Sequence, residues 1–322
     1  MHMLQKFRLC KCLIALAACL SGAAAWAGPS RAADLGQPQT IELWPGLPPG
    51  GGSGPQGPER ASRSGIGVGA ASNIGHPRIE IYRPPQPDGT AMLIIGGGGY
   101  ARIGIGREAM PTAQWLVGQG VTAVVLYYRL PADGWPPVAP FQDGQRAMRL
   151  LRARAGALGI DPRRIGVIGF SAGGNLAGIV ATRFAEDWYP PVDAADRQSS
   201  RPDFAGLIYP VISLLPPYDT TRSSRELGRQ PDAAEAYSVQ RHVGRDTPPT
   251  FLAQAADDPV ASVDNSLMMF TALREQGVPA ELHVFEAGGH GWGIGRPGSL
   301  VGAWPELFAS WARHHGFMAS GR

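Results

Sequence analysis

From residue 79 onward the chain alternates short apolar, β-branched runs with stretches of helical length. The runs at 79–82, 92–95, 123–128, 165–168, 205–209, 250–253 and 281–285 read as strands. Helical patterns fall near 108–119, 142–157, 175–187 and 264–276, and a last one near 304–315 follows the final strand. Strands that are apolar along almost their whole length, with helices between them, predict a mostly parallel sheet covered on both faces. In such α/β sheets the ligand meets the carboxyl ends of the strands, so the residues just past each strand carry the chemistry. The earlier part of the chain lacks this rhythm. Residues 28–39 read as a tail, and the Gly-, Pro- and Ser-rich segment 45–69 as an irregular surface arm. The pattern therefore divides the chain into residues 1–27, a tail and arm over 28–78, and a catalytic domain over 79–322.

Residues 1–27 read as an export signal. Lys6, Arg8 and Lys11 precede a short apolar core, Cys12 to Leu20, that is too short to span a bilayer. Ala25-Trp26-Ala27 then has the small-x-small form of a cleavage site, which predicts a periplasmic or secreted protein. A second reading takes Leu16 to Cys19 as a lipobox, with a lipid on Cys19. Cleavage after Ala27 removes three basic and no acidic residues, leaving 26 of each. A formally neutral chain has no net field for nucleic acid or an anionic membrane. All three cysteines and both lysines also lie in this segment. The mature chain then has no thiol nucleophile, thiolate metal site, Schiff-base lysine or P-loop lysine. Oligomeric state is not legible.

Three strand ends converge on one chemistry. After the run at 165–168 comes Gly-Phe-Ser-Ala-Gly, residues 169–173, a G-x-S-x-G turn that lifts Ser171 to the top of the sheet. Serine is a weak nucleophile near neutral pH and needs a base. Of the seven histidines, His2 is in the signal, His76 in the arm, His242 in a polar loop, His283 inside a strand, and His314 and His315 at the end of the last helix. His290 alone sits on a glycine-rich loop past the last strand. The base in turn needs a carboxylate to hold its tautomer. Asp257 and Asp258 follow the strand at 250–253, and Pro259 fixes the turn after Asp258, which favours Asp258; the other acid caps the loop or faces solvent. The order Ser171, Asp258, His290 is that of an α/β-hydrolase.

A fourth strand end, Ala91 to Gly104, carries four glycines whose backbone N–H groups can cradle an anion. Gly96, Gly98 and Ala101 satisfy G-x-G-x-x-A, the dinucleotide fingerprint. The next strand, however, ends in Leu-Tyr-Tyr-Arg-Leu-Pro, without the acid that would hold a ribose. The triad points instead to a transient oxyanion, and an intact triad argues against a non-catalytic binding module on the same fold.

With those residues placed, the chain resembles the α/β-hydrolase superfamily over residues 79–322. Within it the chain is similar to the small esterases related to hormone-sensitive lipase, and among these to the exported acetylxylan or feruloyl esterases, some labelled as xylanases. The segments carrying the likeness are IELWPGLPPG, GGGGY, YYRLP, GFSAGGNLA, VDAADRQSSRPDFAGLIYPV, ADDPV and GGHGWG. The resemblance implies an α/β-hydrolase fold and a serine esterase acting without metal or cofactor on small-molecule or polysaccharide esters. A peptidase, amidase or general small-ester hydrolase on the same fold is the alternative. Many relatives have His-Gly-Gly-Gly where this chain has Gly96 to Gly99. Alignment with that motif implies Gly97 and Gly98 as oxyanion donors, with Gly99 as a further candidate, beside Ala172 next to the nucleophile. Asp143 and Arg129 read as structural. Tyr100, Trp135 and Trp292 follow strand ends and are candidates for the wall of an acyl or sugar pocket; ordinary core is open to them equally.

Overall fold

The computed structural model describes residues 35–52, 54–62, 69–228 and 232–319. The export segment expected at 1–27, with Cys10, Cys12 and Cys19, lies outside them. The strands are β1 (Gln39–Glu42), β2 (Arg60–Ala61), β3 (Ala71–Ser72), β4 (Arg78–Tyr82), β5 (Ala91–Ile95), β6 (Thr122–Tyr127), β7 (Ile165–Phe170), β8 (Phe204–Ile208), β9 (Thr250–Ala255) and β10 (Ala280–Phe285). The helices are α1 (Met110–Gly118), α2 (Ala139–Ala153), α3 (Ala155–Leu158), α4 (Ala172–Thr182), α5 (Arg222–Leu227), α6 (Ala233–Ala236), α7 (Asp264–Glu275) and α8 (Trp304–His314).

Eight strands form one sheet in the order β1-β4-β6-β5-β7-β8-β9-β10. β1 and β4 run antiparallel at one edge, and from β6 to β10 every pairing is parallel. Every residue of β5 to β9 is buried, as a sheet covered on both faces requires. Successive residues of β7 mark the two faces. A Cβ at Gly169 would touch Ala177 of α4, whereas the Phe170 ring meets Trp304 of α8. The chain adds β6 on one side of β5 and then returns to lay β7 on the other. That reversal opens a crevice between the carboxyl ends of β5 and β7, where doubly wound sheets bind ligands.

The sheet reaches back to residue 39, although the sequence pattern begins only at 79. β1, Gln-Thr-Ile-Glu, presents a single buried residue, Ile41, and so leaves no apolar run to read. The arm is also tied down. β2 pairs with β3, and Ala71 bridges to Ile103 in the loop after β5. The Asn73 side-chain amide donates to the carbonyls of Gln56, Gly57 and Pro58, and the Trp135 indole N–H donates to Ile74 O at 2.9 Å. Deeper in, Asp143 is fully buried. It accepts the Trp44 indole at 2.8 Å and the Arg129 backbone N–H at 2.8 Å, and pairs with the Arg129 guanidinium at 2.9 Å. Arg129 Nη1 then donates to Pro49 O at 2.6 Å. Polar side chains just past β6 and on α2 thus fasten the N-terminal segment, and both residues are structural, as their sequence setting implies.

Candidate active site

Ser171 follows β7 directly and begins α4 at φ 53°, ψ −118°. A non-glycine residue there is strained, and the glycines around it make the turn possible. A Cβ at Gly169 would collide with Gly173 O, and one at Gly173 with Ile95 O on β5. The loop after β10 brings His290 across, so that its Nε2 lies 2.8 Å from Ser171 Oγ. On the other side of the ring, Nδ1 lies 2.7 Å from Asp258 Oδ2.

Asp258 is held from three directions. Its Oδ1 accepts the backbone N–H groups of Val260 and Ala261 at 2.8 and 2.9 Å, and its Oδ2 accepts the Gln254 amide at 3.0 Å. Asp257 has the other task. Its Oδ1 accepts Gly288 and Gly289 N–H at 2.8 and 2.7 Å, so it caps the loop leading to His290. Those backbone bonds, from Gly289 above all, hold its carboxyl below the ordinary value. The other described histidines stand elsewhere. The His283 ring lies on edge strand β10 against Phe251, and His242 bonds Ala236 O.

The glycine loop after β5 departs from expectation in one donor. Gly97 N–H is taken by the buried carboxylate of Glu108, at 2.6 Å from Oε2. Gly97 therefore has no free N–H to offer. Among the described residues the N–H groups of Gly98, Gly99 and Ala172 have no protein acceptor. Ala172 N–H opens α4 at its electropositive end. A side chain at position 96, where many relatives carry histidine, would be crowded, since a Cβ there would sit 3.0 Å from both Gly104 N and O, and the loop would have to give to admit one. The loop is ordered by other means. Tyr128 OH donates to Gly96 O at 2.9 Å, and Gly104 N–H to Gly97 O at 2.8 Å.

Glu108 was not legible as a site residue. It lies in a single π-helical turn, Ile105–Ala109, just before α1, and π-turns recur at functional sites. Its second oxygen accepts the Tyr209 hydroxyl at 2.9 Å, and that hydroxyl accepts Gly293 N–H at 3.0 Å. Tyr209 has φ 37°, and its ring packs edge-on to His290 with centroids 5.0 Å apart. One carboxylate therefore ties the glycine loop to the histidine loop. Burial pushes its pKa up from 4.5, against the opposing pull of Gly97, Tyr209, His290 and Arg107.

These elements enclose a cavity of about 370 Å³ bounded by the glycine loop, Ser171 and His290, with Ala70 of the arm and Val211 and Val260 on its walls. None of the three aromatics that were candidates for its wall lines it. Tyr100, at φ 59°, turns inward, is fully buried and bonds Asn175 Oδ1 at 2.7 Å. Trp135 secures the arm. Trp292 lies behind the site, edge-on to Tyr209 at 4.5 Å. Position after a strand places a residue at the correct end of the sheet but does not fix which way its side chain turns. Among the described residues no group of three or more His, Cys, Asp or Glu side chains could hold a metal ion, and no helix is long and apolar enough to cross a membrane.

Sequence comparison agrees with this architecture. A profile of the α/β-hydrolase fold matches residues 92–294. The chain is 32% identical over 232 residues to an acetylxylan esterase of Xylanibacter ruminicola, covering 70% of this chain and 45% of that protein. It is 34% identical over 226 residues to endo-1,4-beta-xylanase B of Butyrivibrio fibrisolvens, covering 69% of this chain and 34% of that one. It thus spans less than half the length of either relative. The crystal structure of an acetyl ester-xyloside bifunctional hydrolase from Caldicellulosiruptor lactoaceticus superposes with a TM-score of 0.72 at 34% identity, covering 87% of this chain and 97% of that one.

Proposed function

This chain belongs to the α/β-hydrolase fold family, and from that premise we propose that it is a serine carboxylesterase that removes acetyl or feruloyl groups from plant polysaccharide or its fragments. The observation that carries the reading is the hydrogen-bonded relay at the strained turn: Ser171 Oγ to His290 Nε2 at 2.8 Å, and His290 Nδ1 to Asp258 Oδ2 at 2.7 Å. Ser171 Oγ attacks the ester carbonyl while His290 Nε2 takes its proton. Asp258 holds the ring with its Nδ1 proton inward and stabilises the imidazolium that forms. The carbonyl oxygen becomes an oxyanion bound by the N–H groups of Gly98, Gly99 and Ala172, and each such donor is worth about 3 kcal/mol of barrier. His290 then protonates the departing alcohol, leaving an acyl-Ser171 ester. A water deprotonated by the same imidazole attacks that ester, the acid leaves, and Ser171 regains its proton.

The substrate class rests on the likeness to an acetylxylan esterase and an acetyl ester-xyloside hydrolase. A cavity of about 370 Å³ suits a short acyl group with part of its alcohol. The basic n-region and apolar core of residues 1–27 support export, with lipidation at Cys19 as the alternative fate. The test is acetate and ferulate release from xylan, pectin and glucomannan by the wild-type protein and by Ser171→Ala. Release by the wild type that vanishes in the folded variant is expected. Turnover retained by Ser171→Ala would overturn the mechanism. Activity on p-nitrophenyl acetate alone would move the substrate to small soluble esters.

A further inference from the structure

The charged groups facing the catalytic cavity are unequal in sign. Arg102, Arg107 and Arg222 line it, against a single acid, Glu108. Glu108 is buried, with both oxygens engaged by Gly97 and Tyr209. Among the described residues Arg222 pairs with Glu226 Oε1 at 2.9 Å, and its side chain is 54% exposed. Arg102 and Arg107 are exposed and have no hydrogen-bond acceptor or ion-pair partner among the described residues. Two of the three are seated against the reacting centre. A Cβ on Gly98 would come 2.7 Å from Arg102 Cγ, and a Cβ on Gly99 would come 2.6 Å from both Cβ and Cγ of Arg222. Their stems thus pack on the two glycines that offer free N–H groups, and both residues line the same cavity as Ser171. A neutral acetylated sugar has no use for that much positive charge, whereas planar, forked guanidinium groups match a carboxylate.

We propose that the preferred substrate is an ester that also bears a carboxylate, held by Arg102, Arg107 and Arg222 beside the glycine loop. This rests on the hydrolase reading above and deepens it. The carboxylate has two chemical sources. It belongs either to the alcohol, as in an acetylated uronic acid, or to the acyl group, as in the half-ester of a dicarboxylic acid. A single exposed ion pair contributes little. Two or three guanidinium groups converging on one carboxylate, with bidentate hydrogen bonds, give a preference of about tenfold.

The test uses two matched pairs with the intact enzyme: acetylated glucuronic acid against acetylated glucose, and monomethyl succinate against methyl butyrate. In one pair the anionic ester is expected to have kcat/KM about tenfold above its neutral partner at low ionic strength. That ratio falls as salt is added, because the attraction is screened. The pair that shows it identifies which side of the ester carries the charge. Arg102→Gln and Arg222→Gln should each lower the ratio, mainly through KM for the anionic ester. Turnover of p-nitrophenyl acetate with no preference for either anionic ester overturns this inference and leaves the hydrolase reading standing. So does a preference that survives in both variants and is insensitive to salt. Inertness toward p-nitrophenyl acetate and all four esters overturns both readings.

Discussion

Replacing Glu108 with leucine removes a carboxylate that joins the glycine loop, through Tyr209, to the histidine loop. Two donors lose their acceptor: Gly97 N–H, now 2.6 Å from Oε2, and Tyr209 OH, now 2.9 Å from Oε1. Both lie in a buried setting, and an unsatisfied buried donor costs about 1–3 kcal/mol, so the gross loss is about 2–6 kcal/mol. Part of this is offset because the variant no longer buries a carboxyl whose pKa is raised by desolvation. Glu108→Gln should fall between, since its amide oxygen can still accept from Gly97 while the Tyr209 hydroxyl rotates to accept from the amide nitrogen. Urea unfolding reads the stability loss, and kcat on p-nitrophenyl acetate reads the loosening of Gly98 and Gly99. A fall of about tenfold in kcat corresponds to about 1.4 kcal/mol of lost transition-state stabilisation. The raised pKa adds a sign. A carboxyl that holds its proton more tightly in the folded state contributes stability that is complete below its ordinary value of 4.5 and is lost as pH rises through the folded value. The stability advantage of wild type over Glu108→Gln should therefore shrink as pH is raised from 4.5 toward neutrality. A leucine variant with unchanged urea midpoint and unchanged kcat would refute the bracing role.

The remaining expectations concern the turn, the two aspartates and the arm. Gly173→Ala places a Cβ against Ile95 O of β5; the crowding should cost at least about 1–3 kcal/mol and displace Ser171, seen as a lower melting temperature together with lost activity. Asp258→Asn should lower kcat by about 10³–10⁴-fold by favouring the wrong tautomer. Asp257→Asn keeps an acceptor for Gly288 and Gly289 and should retain most activity; the reverse ranking in kinetic assays would reassign the triad acid. The lowered pKa of Asp257 means its contribution is present above 3.8 and lost as pH falls through the folded value, so wild type should lose more stability than Asp257→Asn in acid unfolding. Asp143→Ala leaves Arg129 buried without its partner and should destabilise by about 3–5 kcal/mol, with the urea midpoint as readout.

What could be read in advance was local. β5 and β7 are continuous apolar runs, and Ser171, Asp258 and His290 all stand within five residues of a strand's carboxyl end, so their meeting follows from sheet topology. What could not be read was set by partners far away in sequence. β1 is fixed by pairing with β4 across a gap of some forty residues, and Trp44 by Asp143, 99 residues on; neither leaves an apolar period. Gly97 was assigned a free N–H because the residue that consumes it, Glu108, looks in sequence like an ordinary acid near a helix start. For Tyr100 the sequence leaves pocket wall and core equally open; its positive φ turns it into the core, and nothing in the order of residues reports a dihedral angle.

The central claim, that Ser171 is the nucleophile of a hydrogen-bonded relay, is tested most directly by covalent trapping. The enzyme is treated with diethyl p-nitrophenyl phosphate, residual turnover of p-nitrophenyl acetate is followed, and the modified peptide is sequenced by mass spectrometry. One phosphoryl group on Ser171, appearing in step with complete loss of turnover, is the predicted result. Complete inactivation with Ser171 unmodified, or full turnover with Ser171 phosphorylated, would contradict it.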